Sequence, residues 1–401
     1  MIARIAEATG IDFYEAPRFF WGLCSFSHLE CVPTVMGSLQ DELSALRKKG
    51  AKAGAFSDFD NTRPVGLTTG NIAIDHLTDI GGIPKGRITE IYGPPSSGKT
   101  TCALQTAARV QQSGGTVLFL DYEKSLAEGY CHALGLDVRD EESFIYDQPA
   151  CFEDGANLAR KLAATGELSL IIHDSVASMV TSHELEAATG AVQVADRAKM
   201  LNQYCRQLVP VLSGTGTAAI FLNHLLEKVD ATPMGRQLAA RGIKQYTTPG
   251  GKALPFYSSL RIEFKQEGNL KTSEFDWLSN EDSDQIRQTK TKVTVTKNKV
   301  GIPMRTAHVR IRFGQGFSQT YSVFRILESY GDIKKSGSWF SFLDPELRLD
   351  PDEPKIQGEE AVLKAMESNP AWAAKLEARA REILDGEEEV MEIANAEDFD
   401  A

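Results

Sequence analysis

The chain has 401 residues, 42% hydrophobic and 24% charged, with six cysteines and a formal net charge of −12. That length predicts two or three domains with a sizeable core, and the composition is that of a globular protein rather than a fibrous or low-complexity one. No apolar run approaches the ~20 residues of a membrane helix and no Cys-x-x-Cys pair offers a zinc site, so a cytoplasmic protein with reduced thiols and no membrane partner is expected.

Residues 1–33 are apolar in patches but carry Glu7, Asp12 and Glu15 and lack a basic leader, so a signal peptide is not expected. The stretch "SLQDELSALRKKGAK" (38–52) predicts a helix capped by Ser38, with Leu39, Leu43 and Leu46 on one face. Next, "RITEIYG" (87–93) predicts a strand running into "GPPSSGKTT" (93–101), and 99–113 has helical periodicity. The runs "TVLFLD" (116–121), "LSLIIHD" (168–174) and "TAAIFLN" (217–223) suit buried parallel strands. Long helical connections separate them, which predicts an α/β fold with helices on both faces of a mostly parallel central sheet. The later runs "LRIEF", "KVTVT" and "HVRIRF" alternate and lie close together, so they predict an antiparallel extension of that sheet. Between Asn223 and Ser258 stands a long, basic-leaning, glycine-punctuated stretch, too long for a structureless connection without a function. Beyond residue 325 the pattern turns helical.

Charge is unevenly distributed. From Gln285 to Phe313 there are eight Lys or Arg and no acid, whereas Asp385–Ala401 holds eight acids and no base. A basic patch with a separate acidic tail fits a nucleic-acid binder better than a uniformly acidic chain does.

The chemistry begins at Gly93-Pro94-Pro95-Ser96-Ser97-Gly98-Lys99-Thr100-Thr101. After a strand and opening a helix, this is a P-loop. Its backbone wraps phosphates at the positive end of a helix dipole; Lys99 reaches the terminal phosphates and Thr100 ligates Mg2+, so ATP and Mg2+ are the expected cofactors. Asp174 ends an apolar strand at the edge where such sheets bind ligands, and is the candidate second Mg2+ ligand. Glu123, two residues past "TVLFLD", could orient an attacking water; Asp121 competes for the role.

Several motifs together resemble bacterial RecA recombinases: "LTTGNIAIDHLTDIGGIPKGRITEIYGPPSSGKTT", "FLDYEKSLAEGYCHALGLD", "TTPGGKALPFYSSLRIEF", "VTKNKVGIPMR" and "SGSWFSF". The resemblance covers about residues 36–400. It implies a RecA-like ATPase core over 67–325 and an N-terminal segment (1–66) with an oligomerisation helix. It also implies a small α/β C-terminal domain (326–384) and a disordered acidic tail (385–401). The implied activity is DNA-dependent ATP hydrolysis in a helical homo-oligomeric filament on single-stranded DNA, with pairing and strand exchange against double-stranded DNA. By position, Glu123 matches the catalytic glutamate and Tyr130 the tyrosine that stacks on adenine. Lys297 and Lys299 match a pair that reaches a neighbouring subunit's γ-phosphate; read alone, they are two cations on one face of a strand. Two loops, about 184–199 and 225–251, would line DNA. Lys199, Arg236, Arg241, Lys244 and Lys252 are the candidate phosphate contacts, with backbone amides of Gly250 and Gly251 assisting.

The chain also departs from the bacterial pattern. His224 stands where glutamine is usual, as in phage recombinases of the UvsX type, and remains a candidate γ-phosphate sensor. Pro255 replaces a lysine, Ala127 replaces an acid near the adenine pocket, and the second loop is longer. A ring-forming helicase on the same core, or a mediator that binds DNA without turnover, are the alternative functions.

Overall fold

The computed structural model describes residues 63–187, 194–227, 246–276 and 281–397, along with Ser44 and Lys48, both helical. The other residues of the helix expected over 38–52, the segment 1–33 and Arg236, Arg241 and Lys244 lie outside the described residues. Of the chain's two units, Met1–Thr62 and Arg63–Ala401, the second carries the fold that follows.

Its centre is a nine-stranded sheet. In chain order the strands are β1 (Ile88–Gly93), β2 (Thr116–Asp121), β3 (Phe144–Asp147), β4 (Leu168–Asp174), β5 (Ala218–His224), β6 (Leu260–Asp276), β7 (Glu281–Asn298), β8 (Thr306–Arg312) and β9 (Gly316–Phe317). Their order across the sheet is β9-β8-β7-β6-β1-β5-β4-β2-β3. From β6 to β3 every pairing is parallel, and β6 to β9 form the antiparallel extension.

The pleat divides the apolar runs between two layers. Ile91, Val117, Phe119, Leu170, Ile172, Ile220 and Leu222 face one core. Ile88, Leu118, Leu120, Ile171, Ala219 and Phe221 face the other. Continuous apolar strands make sense only when both faces are covered. The helices of this unit include α1 (Ile72–Leu77), α2 (Lys99–Gln112), α3 (Glu128–Ala133), α4 (Phe152–Ala163), α5 (Ser182–Glu186), α6 (Val194–Thr215), α7 (Ala253–Tyr257) and α8 (Gln319–Tyr330). Residues of α1, α2 and α8 lie in the first core, those of α4, α6 and α7 in the second.

Two features differ from the sequence expectation. β6 and β7 are far longer than "LRIEF" and "KVTVT" suggest, at 17 and 18 residues. β8 accompanies β7 only as far as the Gln288–Arg312 pair, beyond which β6 and β7 continue as a two-stranded ribbon with a polar sequence. An apolar-alternation signal has nothing to detect there.

The second difference is at the C-terminus. Strands β10 (Ile333–Ser336), β11 (Trp339–Phe342) and β12 (Lys355–Gln357) form a small antiparallel sheet beside α9 (Glu359–Ser368) and α10 (Pro370–Glu397). Phe340 packs on Phe324 and Phe342 on Trp372, so residues 326–384 share one buried cluster with the nucleotide-binding half. The tail expected to be disordered from Asp385 is instead helical as far as Glu397. The spacing of Leu376, Ala380 and Leu384 carries on to Met391, and glutamate is a good helix former, so the helix propagates once nucleated.

Candidate nucleotide site and DNA groove

β1 delivers the chain to the sheet edge and the P-loop turns it into α2. Two residues of that turn take left-handed angles, Ser96 at φ 58° and Gly98 at φ 99°. A Cβ on Gly98 would lie 2.2 Å from Ile311 Cδ1, so only glycine fits this point. No side chain caps the first turn of α2, leaving its N–H groups and positive dipole end facing the cleft. Ser97 Oγ is buried without a partner. The Lys99 ammonium, itself buried, donates to Pro94 O at 2.8 Å. Unspent donors around a glycine cradle fit the phosphates of a nucleotide.

Across the cleft stand the ends of β2, β4 and β5. Thr100 Oγ1 donates to Asp174 Oδ2 at 3.2 Å, so the two candidate Mg2+ ligands already face one another. Burial, and then the nearby Glu123 carboxylate, push Asp174 up to about 7. Burial also pulls Lys99 down to about 8, against the attraction of Asp174 and Glu123. A divalent cation beside Asp174 would relieve this crowding of acids.

Glu123 accepts hydrogen bonds from Ser175 Oγ, from Ser178 Oγ at 3.4 Å and from His224 Nε2 at 3.2 Å. Burial opposes its ionisation, but the Ser175 and His224 hydrogen bonds outweigh it and hold the carboxyl below its ordinary value. It is therefore a fixed carboxylate. Asp121 serves the loop instead. Its carboxylate accepts the backbone N–H groups of Glu123, Lys124, Ser125 and Leu126, and the Tyr146 hydroxyl as well. With its oxygens occupied in this way, Asp121 shapes the turn that presents Glu123.

The pocket, about 390 Å³, is lined by the P-loop, Glu123, Asp174, His224 and Tyr130. Tyr130 of α3 is tied to Thr101 by a hydroxyl contact of 2.7 Å. The opposite wall is Thr289, Ile311, Phe313 and Gly314, which sequence reasoning missed. The available signal was weak: one exposed aromatic, Phe313, directly after an alternating strand.

The two lysines near the end of β7 do not line this pocket. Lys297 donates to Pro255 O at 2.8 Å and Phe256 O at 3.1 Å. Burial, then Lys299 and Arg261, lower its affinity for a proton. β7 ends at Asn298, so Lys299 lies just past the strand and is exposed.

Among the DNA candidates, Lys199 and Lys252 are brought together. They line one groove with Ala198, Asn202, Gln203, Arg206 and Ala253. Arg206 was also missed; its spacing of seven from Lys199 on one helix was the clue. Gly250 and Gly251 make the turn before Lys252 with φ of 89° and 69°. A Cβ on Gly250 would come within 2.5 Å of Leu201 on α6, so this turn is pressed against the groove helix. Leu226–Glu227 pairs with Tyr246–Thr247 across the segment between them.

A strand–P-loop–helix unit on a parallel sheet, with acids at the ends of neighbouring strands, defines a P-loop nucleotide-binding protein. Residues 44–318 match the RecA N-terminal domain family. The Protein RecA of Chlamydia felis is 36% identical over 317 residues, covering 79% of this chain and 82% of the relative. That of Frankia alni is 35% identical over 349 residues, covering 86% and 92%. A crystal structure of the RadB recombinase aligns with 63% of this chain and 98% of its own, at 20% identity and a TM-score of 0.44; nothing about function follows from a likeness that weak. The chain belongs to the RecA family and is a recombinase of DNA recombination and repair. Among the described residues no helix is long and apolar enough to cross a membrane.

Proposed function

We propose that this recombinase binds ATP with Mg2+ in the P-loop pocket and hydrolyses it in response to single-stranded DNA, as a helical filament of identical subunits. The observation that carries the reading is the single cleft shared by Lys99, Thr100, Glu123, Asp174 and His224, the last of which leads directly into the 225–251 segment.

The loop backbone and Lys99 hold the phosphates. Thr100 and Asp174 would hold Mg2+, which neutralises phosphate charge. Glu123, kept ionised and aimed by Ser175 and His224, orients the attacking water and accepts its proton. Tyr130 and Phe313 offer ring faces to the base. His224, bonded to Glu123 at one end and joined to the DNA segment at the other, is placed to sense the γ-phosphate. Lys297 and Lys299, remote from their own subunit's P-loop, act on a neighbour's, where cations stabilise charge developing on the transferred group. Lys199, Arg206 and Lys252 contact backbone phosphates with Gly250 and Gly251, and the density of DNA charge they meet makes binding salt-sensitive. A closed-ring helicase would share the cleft but would not exchange strands.

ATP turnover should rise severalfold or more on adding single-stranded DNA, and Lys99→Ala should abolish it while the protein remains folded, because the loop adds little to the core. Turnover indifferent to DNA in the wild-type protein, or retained by the variant at saturating ATP, would overturn the reading.

A further inference from the structure

Beneath the nucleotide pocket lies a cluster of buried rings. His173, on β4 directly before Asp174, is fully buried and stacks on Phe221 of β5 with centroids 4.3 Å apart. Tyr204, midway along α6, meets His173 edge-on, and its hydroxyl lies 3.1 Å from His173 Nε2. Phe152 packs edge-on against Tyr204, and Tyr122 stacks over His173 at 6.2 Å. Two polar atoms of the cluster, His173 Nδ1 and Tyr122 Oη, are buried without a partner.

An apolar cluster of the same shape would avoid unmet hydrogen bonding, so packing alone does not account for this histidine and this tyrosine. Their placement does. His173 is covalently joined to Asp174, whose carbonyl accepts the Tyr122 N–H at 2.7 Å and the Glu123 N–H at 3.3 Å. Tyr204 lies between Gln203 and Arg206, which face the DNA groove. Around this bond α6 also packs on the sheet through apolar side chains, including Leu201, Leu208 and Leu212, and such contacts tolerate sliding and rotation. A hydrogen bond does not, because it is directional.

We propose that the His173–Tyr204 hydrogen bond is a positioning link between the nucleotide site and the DNA groove. It locks α6 in one register against β4, so that Lys199, Asn202 and Arg206 stand at a fixed height relative to Asp174 and Glu123. Neither residue touches nucleotide or DNA. The link rests on the DNA-dependent ATPase reading, since it concerns how the two sites of that activity communicate.

The test uses Tyr204→Phe, which removes one oxygen and keeps the ring, His173→Phe, and the double variant. The quantities measured are ATP turnover without DNA, the concentration of single-stranded oligonucleotide giving half-maximal stimulation, and nucleotide affinity without DNA. For Tyr204→Phe we expect about a fivefold rise in the DNA requirement, the size expected from one neutral hydrogen bond. DNA-free turnover and nucleotide affinity should stay at wild-type levels. The double variant should be no worse than the worse single, because both remove the same link. An unchanged DNA requirement in Tyr204→Phe would overturn the link; so would losses that add in the double variant, or a parallel fall in nucleotide affinity. Should His173→Phe fail to fold, Tyr204→Phe alone still decides. A wild-type protein with no stimulation by DNA would instead defeat the functional reading beneath it.

Discussion

Asp174 is held between two opposing demands. It must be charged to ligate a cation, yet burial and the Glu123 carboxylate lift its pKa from 3.8 to about 7. In the nucleotide-free protein the folded state therefore keeps a proton that the unfolded chain has released over that window. Stability contributed at this site is greatest at the acidic end and falls as pH climbs from 3.8 to about 7. Asp174→Asn cannot titrate. The difference in unfolding free energy, wild type minus Asp174→Asn, should decline steadily across the window when measured by denaturant titration without nucleotide or metal. A difference that does not change with pH would mean that folding leaves the affinity of Asp174 for a proton unchanged. Lys99 has the reverse sign: its folded pKa is lowered from 10.5 to about 8, so its unfavourable buried charge is relieved as pH rises between those values.

At the scale of elements, the groove depends on how the turn at 248–252 meets α6. Gly250 has φ 89°, and its substitution by alanine would add a Cβ 2.5 Å from the tip of Leu201. Leu201 can swing aside, but the left-handed angle cannot be avoided and is worth roughly 1–2 kcal/mol per residue. Gly250→Ala should lower the melting temperature by a few degrees and displace Lys252, weakening single-stranded DNA binding in a fluorescence-anisotropy titration. Unaltered DNA affinity would show that the turn does not set the groove.

These elements also show what the sequence could reveal. The strands carrying the nucleotide site were legible because each is a short apolar run buried on both faces: β2 and β4 lie where "TVLFLD" and "LSLIIHD" place them, and β1 and β5 are displaced by only one residue. The P-loop was legible because few backbones other than a phosphate cradle need that glycine spacing. What escaped depended on contacts distant in sequence. Asp121 and Glu123 were indistinguishable until the backbone N–H groups folded onto Asp121. Phe313 and Ile311 reach the pocket only through the antiparallel end of the sheet. The ribbon of β6 and β7 has no apolar alternation to announce it.

For the whole molecule, charge reads differently in three dimensions. Among the described residues of the basic stretch, three arginines are paired within the subunit. Arg305 pairs with Asp79, Arg310 with Glu359 and Glu360, and Arg312 with Glu367. The last two fasten β8 to α9, so the stretch is partly structural, and the groove lined by Lys199 and Arg206 of α6 and by Lys252 is the surface we propose for DNA. Lys297 and Lys299 remain outside their own subunit's pocket, which is why we place the active unit in the filament rather than the monomer.

Mixing two inactive variants on single-stranded DNA tests that claim most directly. Lys297→Ala/Lys299→Ala retains its own Glu123, and Glu123→Ala retains its own lysines. Interfaces joining the intact Glu123 of one to the intact lysines of the other would be complete. The measured quantity is ATP turnover by filaments shown to contain both variants. We predict turnover well above the sum of the two variants assayed alone. Turnover no greater than that sum would confine the chemistry to a single subunit and contradict the account.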